Sequence, residues 1–294
     1  MKCVSLMTNA KKKNDKQMTL LEDEAPYGSS PTGRSDLKTS PRSKAAGSHR
    51  ERKSIQDVLL REGLVAVRLT VGLASTEQLQ EKLQQELSQN SAETRRRYAQ
   101  SILLWFFGDG IDGLASQAWQ TYEDEQIERD ILRYLYLTAE PLVGRCVENC
   151  LFPLEEGMQI PAAYFERYLR DALGEQPPAK TLERLKMNLA KLGFLDRSSS
   201  QGDRLGRITL DKTAFLVVFH SIFSPTGPRT IELASVLSNS FWKHLGLKSE
   251  QAVRAILREA DAAHLIGKYV VADQLEQVTT CFSLRDLLKR RARL

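Results

Sequence analysis

Leucines recurring every three or four residues constrain what this chain can fold into more than any other feature. In AKTLERLKMNLAKLGFLD, residues 179–196, Leu182, Leu185, Leu189 and Leu192 make one apolar stripe, and Gly193 ends it. That spacing belongs to an amphipathic helix with one buried face. In STEQLQEKLQQELSQ, Leu79, Leu83 and Leu87 form a second stripe behind Ser75 and Gln78, which are placed as a capping box. Ser91 opens SAETRRRYAQSILLWFF. The stretch from Ile131 to Phe152 is apolar on most sides, which predicts a central helix bent near Pro141. Residues 54–155 therefore read as a helical domain.

The helix at 179–192 is preceded by PAAYFERYLRDAL, an amphipathic helix with Pro161 at its start, and by the short break GEQPPAK. Two helices joined so tightly predict a helix-turn-helix. Beyond Gly193, GFLDRS and GRITL pair as two short strands around the polar tip SSSQGD, which adds a wing and completes a winged helix over 156–210. Residues 249–282 repeat the plan: Val253, Ile256, Leu257 and Ala260 face inward, a Leu-x-Gly stop follows, and KYVVA and QVTTCF form the strands. PRTIELASVLSNSFWKHLGL supplies a partner helix, so 211–294 reads as a second unit. The expected class is mostly α: a helical bundle domain, then tandem winged helix-turn-helix units with small β-hairpin wings.

A winged helix sets its second helix in the major groove and lays the wing along the backbone. Lys180, Arg184, Lys186 and Lys191 lie away from the leucine stripe, and Arg197, Arg204 and Arg207 fall on the wing, so these seven are the candidate contacts to double-stranded DNA. Arg95, Arg96 and Arg97 are a further cluster. Consecutive helical residues spread around the axis, so the three cannot share one phosphate row, and Glu93 is a local partner for one of them. The second wing carries Asp273 and Glu276 instead of arginines and reads as a protein-packing surface.

Net charge does not decide the matter. The formal charge is +5, but residues 1–53 hold 12 Lys and Arg against 6 Asp and Glu, leaving 30 against 31 for the remainder. With few large apolar residues and no period, 1–53 reads as a disordered basic tail.

Catalytic patterns are missing. GDGIDG, residues 108–113, has the spelling of a dinucleotide loop, but a helix precedes it where that motif needs a strand, so it reads as a turn between helices. Cys146 and Cys150 share a helix face without the His or second Cys pair of a zinc site, and His49, His220, His244 and His264 show no paired spacing. The expectation is a protein that is not an enzyme, with no cofactor, no metal and no small-molecule substrate. The longest apolar runs, SILLWFF and AFLVVFHSIF, are far shorter than a membrane span, and four scattered cysteines suit a reducing compartment, so a cytoplasmic location is expected.

The order of NSAETRRRYAQSIL, LYLTAEPLVGRCVENCLF, FERYLRD and AKTLERLKMNLAKLGFLD, across roughly residues 54–210, resembles the BrxA family of bacterial phage-exclusion (BREX) systems, or a relative of it. The resemblance implies a small, helical, non-enzymatic DNA-binding protein that works beside a methyltransferase and ATPases in antiphage defence. Its partners would be duplex DNA and other proteins of the same system. The other reading is an adaptor whose winged units dock proteins.

Overall fold

The computed structural model describes residues 55–198, 202–272 and 275–294. The basic stretch 1–53, residues 199–201 of the expected wing tip and Asp273 lie outside these. The described chain is mostly helical, with two small antiparallel sheets.

Five helices come first: α1 (Leu60–Leu69), α2 (Thr76–Glu86), α3 (Ala92–Phe106), α4 (Leu114–Tyr122) and α5 (Glu125–Ala139). Polar side chains set their starts. Ser75 and Ser91 cap α2 and α3 by accepting from the Gln78 and Thr94 amides, and Asp124 caps α5 by accepting from Gln126 and Ile127. The capping box is altered in one respect: the Gln78 side chain accepts from the Ala74 amide at 2.8 Å, one residue ahead of the cap. GDGIDG is the turn between α3 and α4. Where one bent helix was expected near Pro141, the backbone breaks at Glu140, and α6 (Pro141–Cys146) starts afresh before a π-helical turn at Val147–Leu151. Proline has no amide to continue the ladder of α5. Lys248 closes the π turn by donating to the carbonyls of Leu151 at 2.7 Å and Leu154 at 3.2 Å.

Helices α7 (Ala162–Leu173) and α8 (Ala179–Lys191) follow, then strands β1 (Leu195–Asp196) and β2 (Arg204–Leu205), which pair Leu195 with Leu205 and Asp196 with Arg204. Gly193 leaves α8 with φ +87°, a conformation that glycine adopts without strain. The second strand precedes Gly206 instead of running through GRITL. A side chain at Gly206 would strike the Gly193 carbonyl, so the chain closes there against the helix end. The other edge of β2 is taken by a segment the sequence did not reveal: Leu205 donates to the Met158 carbonyl at 2.9 Å, and Ile160 to that of Asp203 at 2.8 Å.

Helix α9 (Lys212–Phe223) is buried continuously from Thr213 to His220. The predicted helix at 228–247 is instead three elements: β3 (Thr230–Glu232), α10 (Leu233–Ser238) and α11 (Phe241–His244). Thr230 pairs with Thr279 across the sheet, and the Asn239 side chain accepts from the Phe241 amide to start the second piece. Helix α12 (Glu250–Ala262), β4 (Lys268–Ala272), β5 (Leu275–Thr279) and α13 (Leu284–Lys289) complete the chain, with strand order β3-β5-β4. The left-handed residue after α12 is His264, at φ +56°, not the glycine of the expected Leu-x-Gly stop.

Two apolar cores share α5. Leu132, Tyr136 and Leu137 join a core reaching from Ile55 to Leu205, and Ile127 and Ile131 join one built on α9, α12 and the second sheet. A buried ion pair fixes this junction. Arg133 lies 2.7 Å from Asp130 and donates to the Leu192 carbonyl at the end of α8, while Asp130 accepts from the Asp211 amide ahead of α9. Burial pushes the Asp130 carboxyl up despite Arg133.

Candidate nucleic-acid interface

Helix α8 is gripped on more sides than its leucines imply. Leu185, Leu189 and Leu192 are buried, whereas Leu182 is half-buried. A second, polar grip comes from Asn188, which is fully buried. Its Oδ1 accepts from the Val58 amide at 2.9 Å, and its Nδ2 donates to the Gln56 carbonyl at 2.6 Å and to the Tyr136 hydroxyl at 2.8 Å. Arg184 donates to the Ile55 carbonyl at 3.2 Å and lies 3.8 Å from Asp57. The segment 55–59 therefore runs along α8 and occupies Arg184. The signal for this was a lone asparagine on the apolar side of a leucine-rich helix.

Lys186 was expected to face outward. Its side chain is only 12% exposed, because Nζ lies 2.8 Å from Asp203 Oδ2, itself 11% exposed. Arg197 reaches the same Asp203 at 3.2 Å and Glu183 at 2.8 Å, which holds its guanidinium above the ordinary range. Lys186 and Arg197 thus tie the hairpin onto α8. Periodicity placed Lys186 off the leucine stripe correctly, but it could not foresee the hairpin folding over that side.

Lys180 and Lys191 remain open. Both are exposed and have no ion pair among the described residues, and Met187, 40% exposed, lies on the same stripe between them. Arg207 is open to solvent beside Glu156 at 3.6 Å. Arg204 lies on β2 opposite Asp196. The three arginines of α3 divide: Arg95 donates to the carbonyls of Gln84 and Gln89, closing the link from α2, Arg96 pairs with Glu93, and Arg97 is exposed. Arg95 is thereby a structural residue. Of the ten candidate cations, Lys180 and Lys191 are on one helical face and free to meet a polyanion.

The fold gathers cations that the sequence did not mark. Arg61 and Arg68 of α1 and Arg129 of α5 converge with Lys191 on one cleft, and Arg285, Lys289 and Arg291 line a second cleft beside α4. The signal that could have found the latter is the basic run RDLLKRRARL, residues 285–294.

No family model, curated protein or solved structure matches this chain. Among the described residues, no group of three His, Cys, Asp or Glu is placed to hold a metal, and no helix is long and apolar enough to cross a membrane. Cys146 is buried, which pushes its thiol up, and Cys150 is half-buried beside it. His244 Nε2 contacts Glu148 at 2.8 Å, a pairing that no spacing rule would have found, and burial lowers the imidazole.

Proposed function

We propose that the protein binds double-stranded DNA without catalysis, as a component of a bacterial antiphage defence assembly. In this reading α7, α8 and the hairpin form a winged helix-turn-helix unit, and α10, α11 and α12 with the three-stranded sheet form a second. The observation that carries the DNA reading is the outward stripe of α8. Lys180 and Lys191 stand about 16 Å apart along the helix axis with Met187 between them. Such a helix set into a major groove turns both ammoniums to its DNA-facing side, within reach of phosphates along the groove, with an adaptable apolar side chain facing the base edges. Arg207, just beyond the hairpin that Lys186 and Arg197 hold on α8, is open to solvent and adds a further cation to this reading. The resemblance in the order of the segments across 54–210 supplies the defence setting.

Fluorescence anisotropy with random duplex DNA tests the reading. Lys180→Glu with Lys191→Glu weakens binding by about 1 to 3 kcal/mol, on the scale of lost groove and phosphate contacts, while the melting temperature stays in place. Unchanged affinity in that variant would sink the α8 assignment.

An adaptor role has its own support in the second unit. Arg254 there is neutralised by Glu250 and Glu276, each at 3.0 Å, and Val271 and Leu275 are 55% and 48% exposed on paired strands β4 and β5. Exposed apolar side chains beside cancelled charge suit a protein partner better than a phosphate backbone. The two roles are compatible, with the first unit on DNA and the second on protein.

A further inference from the structure

We propose that the cleft between α1 and α5 is a phosphate-binding site, one that extends beyond the duplex-binding stripe of α8. The cleft has a volume of about 410 Å³ and is bounded by Arg61, Arg68, Arg129 and Lys191, with Glu125 as the one acidic side chain in its wall among the described residues. Four cations against one carboxylate leave a net charge of about +3 facing one space.

The pairing pattern separates this cleft from an ordinary surface network. Glu125 bridges Arg68 at 2.9 Å and Arg129 at 3.0 Å, and the Arg68 guanidinium also lies 5.0 Å from the centre of the Trp119 ring. These contacts fix two planar guanidinium groups at the rim, where their donors suit the paired oxygens of a phosphoryl group. Arg61 and Lys191 have no ion pair among the described residues. Arg61 and Lys191 face the same space as the Glu125-bridged pair, so the uncompensated charge is concentrated in one cleft, where an incoming dianion can meet it. Leu60, Leu64 and Val65 line the cleft as well and give it an apolar side against which a sugar or ester carbon can rest. Space of this size accepts more than a single ion.

The shared chemistry is a phosphoryl oxygen anion, which a DNA backbone or a free polyphosphate compound can both present. Lys191 belongs to both the cleft and the α8 stripe, so Arg61 and Arg129 are the residues that isolate the cleft. The full chain and its Arg61→Ala/Arg129→Ala variant are titrated with tripolyphosphate by calorimetry at about 50 mM salt, and with duplex DNA across a salt series. Lys82→Ala/Arg167→Ala, which removes two exposed cations elsewhere, is the matched control for net charge.

The expected result is one tripolyphosphate per chain, weakened at least tenfold in the cleft variant and retained in the control. If duplex affinity also falls about tenfold in the cleft variant and its log–log salt slope becomes shallower by about 2, the phosphate belongs to a DNA backbone. If duplex affinity is unchanged while tripolyphosphate is lost, the site takes a free polyphosphate. Should the full chain fail to bind duplex yet bind tripolyphosphate in this cleft, the site stands and the duplex reading falls. Two results overturn the site: neither ligand responding to the cleft variant, or the control losing as much as the cleft variant. Arg61→Gln alone repeats the comparison if the double variant melts early.

Discussion

Lys186 Nζ lies 2.8 Å from Asp203 Oδ2, and this contact fastens the hairpin to the helix that would otherwise present Lys186 to solvent. Both side chains are nearly buried, so removing one strands the other's charge where water reaches it poorly. Asp203→Ala is expected to cost about 2 kcal/mol in urea unfolding. Lys180→Ala, on the open face of the same helix, is expected to cost under about 0.5 kcal/mol. Equal costs would show that the Lys186 pair contributes no more than a surface contact.

Asn188 offers a second test of how α8 is held. Its side chain makes three hydrogen bonds, two of them to the segment 55–59. Asn188→Ala leaves the Val58 amide and the Gln56 carbonyl without those partners, which is expected to cost about 2 to 4 kcal/mol. Hydrogen exchange reports the same event locally, with the Val58 amide exchanging far faster in the variant. Unchanged protection at Val58 would contradict the described grip.

Acid should destabilise the protein through two buried imidazoles. Burial lowers both His220 and His244 below the ordinary 6.5, outweighing for His244 the nearby Glu148. The unfolded chain therefore takes up protons first. Stability is full above about pH 7 and falls as pH drops through the unfolded value near 6.5 toward the lower folded values. His244→Gln is expected to flatten the fall between about pH 7 and 5, measured as the melting temperature in each buffer. A slope identical to that of the parent protein would contradict the assignment.

Glu128 works in the opposite sense. It is 1% exposed, neither carboxylate oxygen has a hydrogen-bond partner among the described residues, and burial pushes its carboxyl well above 4.5. A raised folded value stabilises the protein below the unfolded pKa, and the benefit is lost as pH rises toward the folded one. Glu128→Gln removes the charge that folding must desolvate. The variant is expected to melt higher than the parent at pH 8 and to gain little at pH 5. A lower melting temperature at pH 8 would show that the carboxylate is satisfied there.

The helices were legible because their signals are local. Ser75, Ser91 and Asp124 cap where short polar side chains meet apolar periods, and Leu79, Leu83, Leu185 and Leu189 are buried at the spacing that predicted them. The elements that escaped depend on distant partners. Thr230–Glu232 is a strand because Thr279 and Val278 lie across from it, and the segment 158–160 runs along β2, bridging it at Gln159, because that strand needs an edge. The same divide runs through the candidate site. Exposure of Lys180 and Lys191 followed from the leucine period, whereas the loss of Arg184 to Ile55 and Asp57, and of Lys186 to Asp203, came from segments 129 and 17 residues away. The cleft at Arg61 and Arg129 joins two helices whose cations are ordinary surface residues in the sequence alone.

The most direct test of the central claim is the salt dependence of duplex binding by the full chain. Contacts from Lys180, Lys191 and their neighbours to phosphates release counterions, so the account predicts that log affinity falls linearly with log salt, with a slope of about −0.9 for each phosphate engaged and at least about −3 in total. Affinity that is unmeasurable at about 50 mM salt, or that stays level up to about 200 mM, would contradict it and leave the docking of proteins as the better account.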